Sequence, residues 1–471
     1  MSKMLWFRLT ILCSLLACTT FAAAEDNQKQ KLDRQFQSAV AQYDAGEFAE
    51  AAAQLEDLLP HVPNNFEAEE LLGLTYSALS QDRKAIEHLD AAVRLKPDSA
   101  VARTNLAASL SHSGNAELAG VQFRKALELE PRDYTANHNL GEFYIQSGKI
   151  EEALPLLERA QQINPSSYDN SYDLAMADLL TGRLEEARRL VQSMMQSKNT
   201  GELHNLLAQI EEKDGKFVTA ANEFGTAAHM DSSEDNLFDW GSELLLHRTY
   251  EPAIDIFRQA TRLYPNSPRL QIGLGMALYS RGLYEEAIKA LLTAADLYPS
   301  DPRCYLFLSK AYDSSPKQAE EVIQRFQRYS VLEPSNALAQ YYYAMSLWKG
   351  KRAEGSGLDL KAVESLLKKS IALDEKLPEA HVQLGNLYAD QHEYAQSIPE
   401  YVRALELNPN LPDAHYRLGT DYVHVGQKDR AQNEFDVYQK LRAQHLAEVD
   451  KERAEVQQFV YSAKAAPSTK P

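Results

Sequence analysis

The chain has 471 residues, with 49 Lys and Arg against 67 Asp and Glu, and a formal net charge of −18. Such a surface lacks the clustered cations that a phosphate backbone requires, so nucleic acid is excluded as a partner. Of the three cysteines, Cys13 and Cys18 lie near the start and only Cys304 lies further on, which leaves no framework of internal disulfides.

Residues 1–24 read as a signal peptide. Lys3 and Arg8 form a positive start, Leu9–Ala17 is an apolar run too short to cross a bilayer, and Ala22-Ala23-Ala24 offers a small-residue cleavage site before Glu25. The expectation is an exported chain, periplasmic or secreted. A second reading overlaps the first. Leu15-Leu16-Ala17-Cys18 looks like a bacterial lipoprotein cleavage box, which would leave Cys18 lipidated at the new N-terminus and tie the chain to the outer membrane. No later stretch is apolar enough to span a membrane, so this anchor is the only membrane attachment expected.

After a polar lead-in the chain repeats itself. A first hairpin begins near Leu32, with Phe36, Val40 and Tyr43 on one stripe, Gly46 at the turn and Ala52 opening the second stripe. Three units then follow in one register of 34 residues: Phe66–Ser99, Ala100–Asp133 and Tyr134–Ser167. In the last of these, Leu140, Gly141 and Tyr144 share one helix face, Gly148 breaks the pattern, and Ala153, Leu157 and Ala160 share the next. Pro165 then stops the second helix, because proline has no N–H to donate. A hairpin with one apolar side cannot bury that side alone and needs a copy of itself on each flank.

Eight further units are read downstream. The fifth, Tyr168–Thr200, lacks the closing proline and carries Met194-Met195 there, which makes Met195–Gly201 the softest point. The eighth is regular, with Leu274, Gly275, Leu278, Gly282, Ala287, Leu291, Ala294 and Pro299. The ninth has Asp313–Pro316 in place of a glycine turn. The tenth carries an insertion of seven residues within Lys349–Asp359, where Gly350, Gly355, Ser356 and Gly357 predict a flexible loop. In the twelfth, the stripe Phe435, Tyr438, Leu441, Leu446, Val449, Val456 and Val460 continues past the usual end. It predicts a helix that caps the exposed core, or alternatively pairs with another helix.

On these residues the chain resembles the tetratricopeptide repeat family. The expected fold is all-α: a right-handed superhelical solenoid of about twelve helix-turn-helix repeats with a C-terminal capping helix. The expected division is a signal peptide at 1–24, sub-arrays at 33–200 and 201–441, and a capping helix with disordered tail at 442–471. The resemblance implies a groove lined by the second, fifth, sixth and ninth positions of each first helix, which takes peptides or partner helices.

Those positions name candidate contacts. Thr104, Asn105, His138, Asn139 and Glu142 lie in the third and fourth units. An Asn side chain both donates and accepts, so Asn105 and Asn139 either hold a peptide backbone or simply solvate the groove. Further on the groove turns aromatic with Phe307, Tyr341, Tyr342 and Tyr416, with Arg417 beside them, residue types that anchor binding surfaces or fill cores. A clamp for a C-terminal carboxylate of the kind some family members carry is rejected, because Thr104, Thr135 and Val382 stand where lysines are needed.

No motif for metal, phosphate or nucleophilic chemistry stands in the chain. His204, His381 and His415 recur at one repeat position and read as packing residues, too far apart for one metal ion. Cys304 reads as a packing residue as well. The expected function is therefore a non-enzymatic protein-binding scaffold of the bacterial cell envelope, without cofactor. Its alternatives are a lipid-anchored assembly factor and a substrate-recognition accessory of an envelope enzyme.

Overall fold

The computed structural model describes residues 28–354 and 359–444, the side chains of 351–354 excepted. The cleavage site, Cys18, the Gly355–Gly357 stretch and the terminal stripe from Leu446 onward lie outside the described residues.

The described chain is a succession of helical hairpins, and no strand occurs among the described residues. The first five are α1 (28–44) with α2 (Phe48–Leu58), α3 (Phe66–Ala78) with α4 (Asp82–Leu95), α5 (Ala100–His112) with α6 (Ala116–Leu129), α7 (Tyr134–Gln146) with α8 (Ile150–Ile163), and α9 (Tyr168–Thr181) with α10 (Leu184–Ser197). The next four are α11 (Gly201–Lys213) with α12 (Phe217–Met230), α13 (Glu234–Leu246) with α14 (Tyr250–Leu263), α15 (Pro268–Arg281) with α16 (Tyr284–Leu297), and α17 (Pro302–Ser314) with α18 (Ala319–Leu332). The last three are α19 (Ala337–Glu354) with α20 (Leu360–Leu373), α21 (Pro378–Asp390) with α22 (Tyr394–Leu407), and α23 (Pro412–His424) with α24 (428–444). The chain divides into two compact units, one ending at Lys198 and one beginning at Asn199.

Local chemistry sets these boundaries. Most first helices are capped by a side chain that accepts a backbone N–H of the first turn: Asn65, Ser99, Asp133 and Ser167 in the first unit, then Thr200, Ser233, Ser267, Asp301 and Asn336 in the second. Second helices from α4 to α18 have no such side-chain cap. They follow a turn whose residue sits at positive φ, a glycine at Gly114, Gly148 and Gly282 but Ser80 in the second hairpin.

Packing within a hairpin depends on a missing side chain. A β-carbon on Gly73 would meet the Leu89 side chain, one on Gly141 would meet Leu157, and one on Gly385 would meet the Tyr401 ring. In each pair the partner stands sixteen residues on, in the second helix, so glycine lets the two backbones close together.

The tenth hairpin departs from expectation. The residues Lys349–Glu354, read as part of a flexible loop, extend α19 to 18 residues. Gly350 is buried, and a β-carbon there would lie 2.7 Å from the Tyr312 hydroxyl and 2.8 Å from Ile323 Cδ1. Its lack of a side chain lets the extra helical turn rest on the ninth hairpin, so it is a packing glycine and not a loop glycine.

Candidate partner-binding site

Within the second unit, α13, α15 and α17 lie side by side. Their inner positions enclose an apolar cavity of about 320 Å³, walled by Phe238 and Leu245 from α13, Ile272 and Met276 from α15, and Phe307 from α17. Gly273 leaves room for the floor, the fully buried ring of Phe257. Phe307 meets Tyr279 edge to face at 6.2 Å, and the Lys310 ammonium lies 5.6 Å from its ring centre. On the rim, the Arg269 guanidinium sits over Phe238 at 5.0 Å and donates to Glu234 Oε1 and Asp235 Oδ1, both at 2.5 Å.

A second cavity of about 490 Å³ adjoins the first and shares Ser242 and Leu246 with it. It carries three carboxylates, Glu212 from α11 and Asp239 and Glu243 from α13. Glu243 is 4% exposed. Its Oε1 lies 3.3 Å from His247 Nε2 but makes no hydrogen bond. Burial, with the charge of Glu212 added, pushes its carboxyl up to about 7. Burial also raises Asp239, although the Asn205 amide donates to it at 2.8 Å, and burial with the charge of Asp239 raises Glu212. Among the described residues no Lys or Arg pairs with these three acids.

Sequence reasoning found Phe307 and missed the acids. A signal for them exists, because Asp235, Asp239 and Glu243 stand at i, i+4 and i+8 on one face of α13, a like-charge stripe that an isolated helix disfavours.

The other expected contacts scatter. Tyr341 walls a cavity of about 550 Å³ with Val382, Gln383 and Tyr438, and burial raises its hydroxyl above the ordinary range. Tyr342 is not in the groove. It is 6% exposed, with its ring 5.6 Å from that of Phe326, sixteen residues back in α18. Gly273 bears the same relation to Phe257. Tyr342 thus packs back onto the preceding second helix and fills the core between hairpins, although Phe307, at the same sixth position of α17, walls the apolar cavity. Tyr416 is 51% exposed and rests on Phe435 and Tyr438 of α24, with ring centres 5.8 and 5.3 Å away. Arg417 is exposed and lines a cavity of about 530 Å³ together with Asp390, Asp413 and Asp421.

In the first unit, Asn105 donates to Glu70 Oε1 at 3.2 Å. His138 Nδ1 lies 3.3 Å from Asn170 Oδ1 and 3.8 Å from Asp173 Oδ2, whose carboxyl burial pushes up to about 6. Asn139 is half-buried beside it. Thr104 is 4% exposed and donates to the Ala100 carbonyl at 3.0 Å, so it belongs to the core and not to the groove.

The three recurring histidines each bridge their own hairpin. His204, His381 and His415 place Nδ1 at 2.5, 2.7 and 2.5 Å from Glu223, Glu400 and Glu434, always nineteen residues on. Cys304 is fully buried, its thiol donates to the Asp301 carbonyl at 3.0 Å, and burial pushes it up to about 12.

Family models agree with this architecture. Models described as tetratricopeptide repeat match residues 36–100, 123–154, 145–210 and 238–302, and one described as TPR repeat matches 385–423. No curated protein matches the chain. Among solved structures, a Naa15/Naa10 complex bound to HypK-THB is 16% identical, with 86% of this chain and 68% of that one covered and a TM-score of 0.32. PilF of Pseudomonas aeruginosa is 23% identical over 44% of this chain and 95% of its own, with a TM-score of 0.38. A tetratricopeptide repeat protein of Parabacteroides merdae is 17% identical over 53% and 99%, with a TM-score of 0.43. The repeat matches together span more than half of the residues, and the hairpins they cover are those seen in the fold: the chain belongs to the tetratricopeptide repeat family.

Proposed function

We propose that this protein is a non-enzymatic scaffold of the bacterial cell envelope, which holds extended segments or helices of other proteins against the inner faces of its first helices. The observation that carries this reading is the pair of adjoining cavities along α11–α17, whose walls are side chains at the inner positions of consecutive hairpins. Repeats of this family generally serve as modules for binding other proteins. A photo-crosslinking amino acid at Phe307 in the native host tests it. The expected result is a discrete set of crosslinked proteins that is absent when the probe replaces Val331, which is 71% exposed on α18. Equal capture from both positions overturns the reading.

The envelope location rests on residues 1–24. Mass measurement of the mature chain separates the outcomes. A start at Glu25 supports export as a free chain, a diacylglycerol on Cys18 supports the lipid-anchored alternative, and an uncleaved cytoplasmic chain overturns both.

A further inference from the structure

The two cavities of the second unit differ in chemistry and share a wall. One end holds Glu212, Asp239 and Glu243, and the other is apolar. The cations nearest the apolar end are already engaged. Arg269 is held by Glu234 and Asp235, and Arg303 grips Asp301 at 2.6 and 2.9 Å. At the acidic end no Lys or Arg grips a carboxylate among the described residues; His247 Nε2 stands 3.3 Å from Glu243 Oε1, and the charge of Arg269 reaches Asp239 only from a distance. Half-buried Glu212 and Asp239 crowd acidic groups against the buried Glu243, and a cation that supplies both charge and N–H donors relieves that crowding. Glu243 Oε1, buried and without a hydrogen bond, is an acceptor in place for such a donor.

We propose that this groove selects a protein segment carrying a Lys or Arg side chain a few residues from a bulky apolar one. The cation sits among Glu212, Asp239 and Glu243, and the apolar side chain enters the cavity of Phe238, Ile272, Met276 and Phe307. Neighbouring helices pack about 8–10 Å apart and an extended strand advances about 3.3 Å per residue, so one step along the groove takes about three residues. The favoured spacing is therefore a basic residue and an apolar residue separated by two others. This selectivity rests on the reading of the inner face as a docking surface.

The probes are short fluorescein-labelled peptides in a Gly/Ser background: one with Arg-Ala-Ala-Leu, one with Glu-Ala-Ala-Leu and one with Arg-Ala-Ala-Ser. Anisotropy is read on the whole protein and on an E243Q/D239N variant whose helical signal and urea midpoint are checked first. The expected result is that the first peptide binds about tenfold more tightly than either control. In the variant the preference for Arg over Glu should largely disappear, while the preference for Leu over Ser persists. Equal binding of the Arg and Glu peptides overturns the proposal, as does a preference unchanged in the variant. So does a groove closed by a second copy of the chain, seen as a dimer in sedimentation that none of the peptides dissociates. If no peptide binds but Phe307 still crosslinks a discrete partner, the selectivity falls and the scaffold reading stands. If Phe307 crosslinks nothing beyond the Val331 control, the scaffold reading itself falls.

Discussion

The ring of Phe257, in the second helix of one hairpin, lies directly on Gly273, in the first helix of the next. A β-carbon built on Gly273 would stand 2.5 Å from Phe257 Cε1. Gly241, sixteen residues before Phe257, meets the same ring, at 2.8 Å from Cζ. The ring is fully buried and has no free direction in which to retreat. Gly273→Ala is therefore expected to destabilise the second unit by about 1–3 kcal/mol through overpacking. An unchanged urea midpoint would contradict this packing.

Tyr342 and Arg417 should respond oppositely to truncation. Tyr342→Ala empties a site between hairpins and should cost about 3–5 kcal/mol, as for other buried aromatic rings. Arg417→Ala removes an exposed side chain and should cost about 1 kcal/mol or less. Chemical denaturation of the two variants reads the difference directly, and equal midpoints would return Tyr342 to the surface.

Stability of the second unit should fall as pH rises from about 4.5 to about 7. The Glu243 carboxyl keeps its proton up to about 7 in the folded chain, whereas the ordinary value is 4.5. Across that window the folded state binds more protons than the unfolded state, so the slope of stability against pH is negative and flattens above it. Glu243→Gln should remove a slope worth on the order of 1–3 kcal/mol. Urea unfolding of parent and variant at both ends of the window decides the matter. Asp178 in the first unit, 1% exposed and raised to about 6 by burial despite Arg183 Nε at 2.8 Å, contributes with the same sign at lower pH.

Limited trypsin digestion should cut first after Lys198. That residue is exposed, stands in the short non-helical link between α10 and α11, and ends the first compact unit. Mass spectrometry of the earliest fragments checks it, and a first cut within α15 or α16 would contradict the division.

Much of this architecture was legible in the sequence. Gly141, Gly275 and Gly385 recur because each must lie against a large residue sixteen positions on, and such a requirement leaves a period that can be read directly. The ladder of capping residues from Asn65 to Asp301 is equally legible, each an Asn, Ser, Asp or Thr just before an apolar-periodic stretch. Tyr342 was misplaced. Its register position is shared by Phe307, which walls a cavity, whereas Tyr342 turns onto the Phe326 ring and fills the core, a difference set by the neighbouring hairpin and not by register. Gly350 was misread because a glycine that admits a close neighbour and one that loosens a turn look alike in sequence. The acidic cavity needed the fold. The stripe on α13 is visible in the chain, but its meeting with Glu212 of α11 is a property of hairpin stacking.

Every substantial contact between described helices joins elements that are adjacent or next but one along the chain. Wiring of that kind leaves no long loop to close. Each hairpin finds all its partners within a short stretch of chain on either side, and the eighth needs nothing from the first. Such a molecule can acquire its structure from one end to the other while the remainder is still being synthesised. Damage is felt next door first: losing a terminal hairpin bares the apolar face of its neighbour, while contacts further along the chain are not shared with it.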